Sequence, residues 1–507
     1  MEEVEKKKFF AGGQWLESNS HTYTNVYNAS TGEVQALVPC CSAEEVSYAI
    51  SCAKRAFPAW RDTPVMKRVQ ILYRFRELLM QHWDKLTECC AREHGKNWAE
   101  ASGDIAKIKE PVEFACGIPS LMMGESLMNT SSGFDTVSYR EPLGVFAGIA
   151  PFNFPGMIPM GWMTPICIMT GNTMVIKAAT KTPLTAMYCC ELWQEAGLPD
   201  GVLNLVTCSR KESEQFLTHP DIRGICFVGT TASGKKIYAA AAAHGKRVQA
   251  QTEAKNHALV LEDAVLEQTA KRIINSAFGC AGERCMALPV VVAQESIADR
   301  LVALIAQHAR ELRIGPAYDK ATDLGPLVDG AHKDKVTRWI ELGIEEGADL
   351  VMDGRGVVVP GYENGFYLGP TIFDHVTEEM RIGREEIFGP VLCIKRCRDF
   401  EDGLRIMNAN PFANGSIIFT QSGYYSREFA RRTDGGMVGI NVGIPVPVGV
   451  FAFSGHKESF FGDLHCLGKD GVRFFTEVKA VTTHWFAEEE KKAAPVDTWE
   501  GSVGGSL

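Results

Sequence analysis

Between residues 144 and 243, short apolar runs alternate with helix-spaced windows: GVFAGIA, then 157–170, TMVIKA, 183–196, VLNLVT, 211–219, GICFVG and 232–243. Runs without polar alternation suit strands covered on both faces, and the windows between them supply the covering helices. This rhythm predicts a doubly wound parallel sheet, whose ligands lie beyond the carboxyl ends of its strands. A second series opens at HALVLED and continues through 265–279, PVVVAQ, 296–312, 332–346, ADLVMD and VLCIKRC. The expected fold class is α/β, with two Rossmann-like doubly wound lobes bordering near Lys255.

On this reading residues 1–121 and 143–255 form the first domain, with helices at 43–61 and 66–94, and 256–447 form the second. Residues 122–142 and 474–490 fit neither lobe and read as strand-rich, as expected of a small β arm that pairs with another subunit. Residues 448–473 form a return segment near the active site. The polar, Gly/Ser-rich stretch 491–507 is expected to be a mobile tail.

Charge and composition exclude several classes of function. With 52 Lys+Arg against 62 Asp+Glu, the net charge of −10 argues against a sequence-independent nucleic-acid binder. The longest apolar tract, Val145 to Ile176, is interrupted by Pro151, Pro155, Pro159 and Pro165, which makes it a poor membrane span. The N-terminal MEEVEKKKFFAGG has no apolar stretch of the signal-peptide kind. Sixteen cysteines in a long chain, some of them vicinal, point to a reducing, cytoplasmic home.

The segment most suggestive of chemistry is FGCAGERCMALPVVV, residues 278–292, where Cys285 follows a Gly/Ala-bearing turn and precedes a β-rich run. A thiolate displayed at a loop edge can attack a carbonyl carbon. GTTASGKK at 229–236 is most of a phosphate-binding G-x-x-x-x-G-K loop, but Lys236 stands where Ser or Thr must hold magnesium, so a kinase-like reading fails. His465 beside Cys466 has no further ligand at metal-binding spacing, and no metal is expected.

Taken in order, PFNFP at 151–155, GNTMVIKAATKTPLTA at 171–186, AGLPDGVLNLV at 196–206, FVGTTASG at 227–234, GERC at 282–285 and EEIFGPV at 385–391 resemble the aldehyde dehydrogenase superfamily. The resemblance covers nearly the whole chain. It implies Cys285 as nucleophile, rather than nearby Cys280, and Asn153 as a donor to the oxyanion alongside the Cys285 backbone N–H. It implies NAD as cofactor, with Lys177 on the adenosine ribose, Glu386 on the nicotinamide ribose, and Ala150, Phe152, Thr230 and Thr252 lining the cleft. The family's glutamate three residues past that lysine is Thr180 here, followed by Lys181, which removes the repulsion of a 2′-phosphate and leaves NADP admissible.

The superfamily's E-L-G-G-K segment supplies a glutamate that activates water to hydrolyse the thioester. Aligned on Lys255, this chain reads Gln251-Thr252-Glu253-Ala254-Lys255. An amide cannot accept that proton. Coenzyme A offers another acceptor, because a thiol with a pKa of about 8.5 needs less help from a base than water does. AKNHALVLEDA at 254–264 and FSGHKESFFGDLHCLGKDGVRFFT at 453–476 resemble the CoA-acylating branch that oxidises methylmalonate and malonate semialdehydes to acyl-CoA and CO₂.

That branch implies Arg284 as anchor for the substrate carboxylate, and its second arginine aligns with Lys107, which keeps the charge but loses the bidentate fork. The partners expected are a small aldehyde, CoA and further copies of the chain in a homotetramer, with neither nucleic acid nor membrane. The competing enzyme reading is oxidation of another anionic aldehyde, a sulfonate or longer dicarboxylate semialdehyde, to the free acid with Glu253 or another base. A catalytically silent relative is the reading from outside enzymology.

Overall fold

The computed structural model describes residues 4–489; the expected tail at 491–507 lies outside them. Two large sheets carry the molecule. The first runs in the spatial order 14–16, 9–11, 203–206, 173–177, 145–149, 222–228, 247–251 and 460–462. Its five central strands are parallel, and only the edges, 9–16 and 460–462, run antiparallel. From Val145–Ile149 the chain steps outward through 173–177 and 203–206, then returns to place 222–228 on the other side. The strand order therefore turns round between 145–149 and 222–228, where open α/β sheets bind ligands.

The second sheet has the order 349–352, 371–374, 391–397, 290–294, 257–260, 415–419 and 437–440, parallel except at 349–352. Val290–Gln294 and Val391–Cys397 have almost every side chain buried, as expected of strands with helices on both faces. The first lobe's helical cover is tied in by Phe75 stacked on Trp193 with ring centroids 3.7 Å apart, and by Trp60 donating its indole N–H to the Ile168 carbonyl.

Three features depart from the sequence-based outline. The window 66–94 is two helices, Val65–Gln81 and Trp83–His94, because His82 leaves helical geometry while its ring meets the Tyr188 hydroxyl at 2.7 Å. The window 157–170 opens with π-helical turns over Met157–Met163 before Thr164–Met169 becomes α-helical. The return segment joins both lobes: His456–Lys457 pairs with Phe412–Ala413, and Phe460–Gly462 completes the first sheet against Arg247–Gln251. Ser126–Ser131, Phe134–Pro142 and Thr476–His484 form a separate three-stranded sheet.

Candidate active site

The helix Leu266–Phe278 ends at a turn that carries Cys280, Ala281 and Gly282 with φ of 52°, 50° and 73°. Left-handed backbone costs a side-chain-bearing residue about 1–2 kcal/mol, so this turn persists only because its surroundings hold it. Glu100 does part of that, accepting the Cys280 backbone N–H at 2.7 Å. At Gly282 a Cβ would fall 2.1 Å from the Gly389 carbonyl oxygen, so only glycine lets the turn sit against the 386–390 loop.

Cys285 emerges three residues later, half-buried, with its carbonyl accepting amide N–H groups from Asn256 at 2.8 Å and Asn414 at 3.3 Å. Asn256 also donates to the Ala287 carbonyl and accepts the Gly415 N–H, so one carboxamide ties the Cys285 segment to the sheet. Burial, and after it the nearby Glu386 carboxylate, push the Cys285 thiol up to about 12, with Arg284 pulling weakly the other way. The unliganded site therefore keeps this cysteine protonated near neutrality.

Asn153 is 3% exposed, and its carboxamide makes no hydrogen bond among the described residues. Its backbone is fixed from below. The fully buried Lys96 ammonium donates to the Asn153 carbonyl at 2.7 Å and pairs with Asp104 at 3.1 Å, while Asp104 accepts the Met157 N–H at 2.6 Å. A rigid loop thus presents an unspent amide donor, the arrangement an oxyanion needs.

A cavity of about 230 Å³ opens on Cys285. Phe154, Met157, Trp162, Met286, Phe453 and Leu467 give it apolar walls, and Glu100, Lys107, Glu110 and Arg284 are its charged members. Lys107 pairs with Glu110 at 2.8 Å, so its charge is compensated and it is not the free cation that the alignment suggested. The Arg284 guanidinium donates to the carbonyls of Asn275 and Ser276, at 2.5 and 3.0 Å, and leaves its buried Nε–H without a partner. The Nε–H is buried against the protein, and an unpaired buried donor is costly until something accepts from it.

Gln251 ends the strand Arg247–Gln251 and is 4% exposed. Its amide reaches only long contacts, 3.5 Å to the Phe453 carbonyl and 3.6 Å to Cys466 Sγ, and its carbonyl oxygen has no partner. The Glu253 carboxylate accepts the Thr231 backbone N–H at 2.8 Å, at the start of the helix Thr231–Ala243.

On the cofactor side, Lys177 ends a strand and has no hydrogen bond or ion pair from its ammonium among the described residues, while burial pulls its pKa down. Ala150 donates its N–H to the Lys177 carbonyl. Glu386 accepts the Ala254 N–H at 3.0 Å, and burial together with Glu253 pushes its carboxyl up to about 8. Thr230 stands at the N-cap position of the helix 231–243 without a side-chain capping bond and donates its hydroxyl to Ser233 Oγ. Thr180 is half-buried, with no carboxylate of its own to offer a ribose.

Three residues proposed for the cleft have side chains engaged elsewhere. Lys181 pairs with Asp329 at 2.6 Å, bridging the lobes, so it is not a free cation beside the ribose. Phe152 packs its ring against His332 and Phe388 of the second lobe, an interlobe aromatic contact. Thr252 donates its hydroxyl to the Glu458 carbonyl at 2.6 Å, toward the return segment. Glu100, Asn256, Asn414 and the Lys96–Asp104 pair were absent from the sequence-based set; only the position of Asn256 directly after Lys255 gave a hint.

Residues 15–481 match the model of the aldehyde dehydrogenase family. The chain is 48% identical to malonate-semialdehyde dehydrogenase 2 of Geobacillus kaustophilus, over 95% of this chain and 99% of that one. Its fold superposes on the crystal structure of methylmalonate-semialdehyde dehydrogenase from Oceanimonas doudoroffii with a TM-score of 0.94 at 42% identity, covering 96% of this chain and 100% of that one. The NAD⁺ complex of an aldehyde dehydrogenase from Bacillus cereus is similar at a TM-score of 0.90 and 28% identity, over 95% and 97% of the two chains.

Proposed function

The chain belongs to the aldehyde dehydrogenase family, and on that premise we propose that it oxidises malonate semialdehyde and its methyl homologue, passing the acyl group to coenzyme A. The observation that carries this reading is Gln251: the place of a water-activating carboxylate holds a buried amide. Glu253, the other candidate base, accepts the Thr231 N–H, which supports CoA over water as the acyl acceptor.

The chemistry divides among residues already placed. Cys285 Sγ attacks the aldehyde carbon, and the resulting oxyanion accepts hydrogen bonds from the Asn153 amide and the Cys285 backbone N–H. The nicotinamide cofactor supplies a hydride acceptor, leaving a thioester on Cys285. Lys177 and Glu386 hold the two riboses. With Thr180 in place of an acid, a 2′-phosphate meets no repulsion, so the cofactor class is NAD or NADP. Arg284, a cation lining the cavity, would hold the substrate carboxylate, and the apolar cavity walls keep water from the thioester.

The thioester carbonyl accepts the electron pair released when the β-carboxylate leaves as CO₂, and the enolate so formed takes a proton from water at its α-carbon, giving acetyl or propanoyl groups. The CoA thiol gives up its proton to water and attacks this carbonyl, and Cys285 departs as thiolate. The sheet of Ser126–Ser131, Phe134–Pro142 and Thr476–His484 exposes Leu127, Met128, Tyr139 and Val478, which supports assembly into a homotetramer through this arm. All sixteen cysteines are free, in keeping with a cytoplasmic enzyme. Among the described residues no helix is long and apolar enough to cross a membrane.

The test is product analysis with malonate and methylmalonate semialdehydes, with and without CoA. Acyl-CoA formed together with reduced cofactor is the expected result; free acid formed at the same rate without CoA contradicts the reading.

A further inference from the structure

Glu253 is the least expected side chain in the cofactor cleft, for the family's segment has glycine at this position. Its Oε2 accepts the backbone N–H of Thr231 at 2.8 Å. Thr231 begins a helix of 13 residues, Thr231–Ala243, whose first N–H groups have no acceptor within the helix. This helix follows the strand Ile222–Val228, one of the two strands between which the sheet order turns round. A helix N-terminus at a switch point is where a dinucleotide's pyrophosphate seats, because free N–H groups and the helix dipole both favour an anion there.

No basic side chain compensates Glu253 among the described residues. Lys235 on the same helix pairs with Glu458 at 2.8 Å, and Arg210 donates to Ser233 Oγ at 2.9 Å. Glu253 also repels Glu386, the carboxylate assigned to the nicotinamide ribose. The helix terminus is thus what holds this carboxylate, and the same terminus is what the cofactor needs.

We propose that Glu253 is an internal competitor for the cofactor's pyrophosphate: it occupies the Thr231 N–H until the dinucleotide displaces it, and so weakens dinucleotide binding and speeds its release. This rests on the reading that the cleft holds NAD or NADP. Loose binding of the reduced cofactor suits a reaction whose second half needs CoA rather than the nicotinamide.

The experiment is equilibrium binding of NAD, NADH and inorganic pyrophosphate to the full-length protein, Glu253→Gln and Glu253→Gly, by calorimetry without aldehyde or CoA. Glu253→Gln retains an acceptor for the Thr231 N–H and removes only the charge, so it keeps the helix capped. Expected are an NAD affinity about tenfold tighter in Glu253→Gln, the size of one like-charge contact relieved, and pyrophosphate binding in Glu253→Gly that competes with NAD. NAD binding to wild type that neither variant strengthens overturns the proposal alone. Absence of NAD binding in all three folded proteins overturns the cofactor reading and the proposal with it.

Discussion

The two approaches to Cys285 are finished to different degrees. Toward the aldehyde tail, charge is settled within the protein: Lys107 lies against Glu110, and most of the Arg284 fork is given to the carbonyls of Asn275 and Ser276. Toward the cofactor, charge is unsettled: Lys177 has no partner among the described residues, Glu386 is pushed up to about 8, and Glu253 borrows a helix terminus. On the proposed function, the preformed pocket takes the small aldehyde, and the groups around Lys177 and Glu386 take a large, multiply charged cofactor. Groups left unsatisfied mark where ligand binding energy is to be gained, and satisfied ones mark where shape does the selecting.

The largest effect belongs where the two sides meet. Cys285→Ala is expected to lower turnover by about 10⁴-fold or more, whereas Cys280→Ala, on the strained turn behind it, stays within a few-fold; steady-state reduction of the cofactor measures both. Equal losses would place the chemistry on the turn rather than on Cys285. Next, Asn153→Ala should cost about 10²–10³ in kcat with little change in KM, because its amide meets the oxyanion only as it forms.

Gln251→Glu restores a carboxylate beside the thioester. Release of free acid in the absence of CoA is expected to rise by about 10²-fold, measured as a second turnover without CoA. On the tail side, Arg284→Leu should lower kcat/KM for malonate semialdehyde by about 10–100-fold, the worth of a charge-assisted hydrogen bond, and leave propanal nearly unchanged. Glu110→Gln frees Lys107 and should help malonate semialdehyde by no more than about fivefold, since partly exposed ion pairs are weak. The reverse ranking would make Lys107 the anchor.

A further pair of measurements reads the coupling between Cys285 and Glu386. With the thiol pushed up to about 12 by burial and by Glu386, the thiolate fraction of the unliganded enzyme grows with pH. Alkylation of Cys285 by iodoacetamide should therefore rise about tenfold per pH unit between pH 7 and 9. Glu386→Gln removes a negative charge that the carboxyl carries only above about pH 8, so it should speed alkylation several-fold at pH 9 and little at pH 7.

Strands were the most legible part of the fold, because buried parallel strands are written as unbroken apolar runs such as TMVIKA and PVVVAQ. What escaped is what periodicity does not encode. His82 breaks a helical window through a contact with Tyr188, distant in sequence, and Phe460–Gly462 joins a sheet whose other strands end at Gln251. At the site, residues whose roles follow from their own chemistry could be named, Cys285 and Gln251 among them. Residues that work by holding backbone, such as Glu100 on Cys280 and Asn256 on Cys285, are ordinary polar letters until the chain brings them together. Lys107 and Lys181 are legible in the sequence as charges, but their partners, Glu110 and Asp329, are not.

The central claim is that a buried amide at 251 leaves the thioester waiting for CoA. Intact-protein mass spectrometry after mixing enzyme, oxidised cofactor and methylmalonate semialdehyde tests it directly. The account predicts an acyl adduct on Cys285 that persists in buffer and disappears when CoA is added. An adduct that is lost as quickly in buffer alone would contradict it.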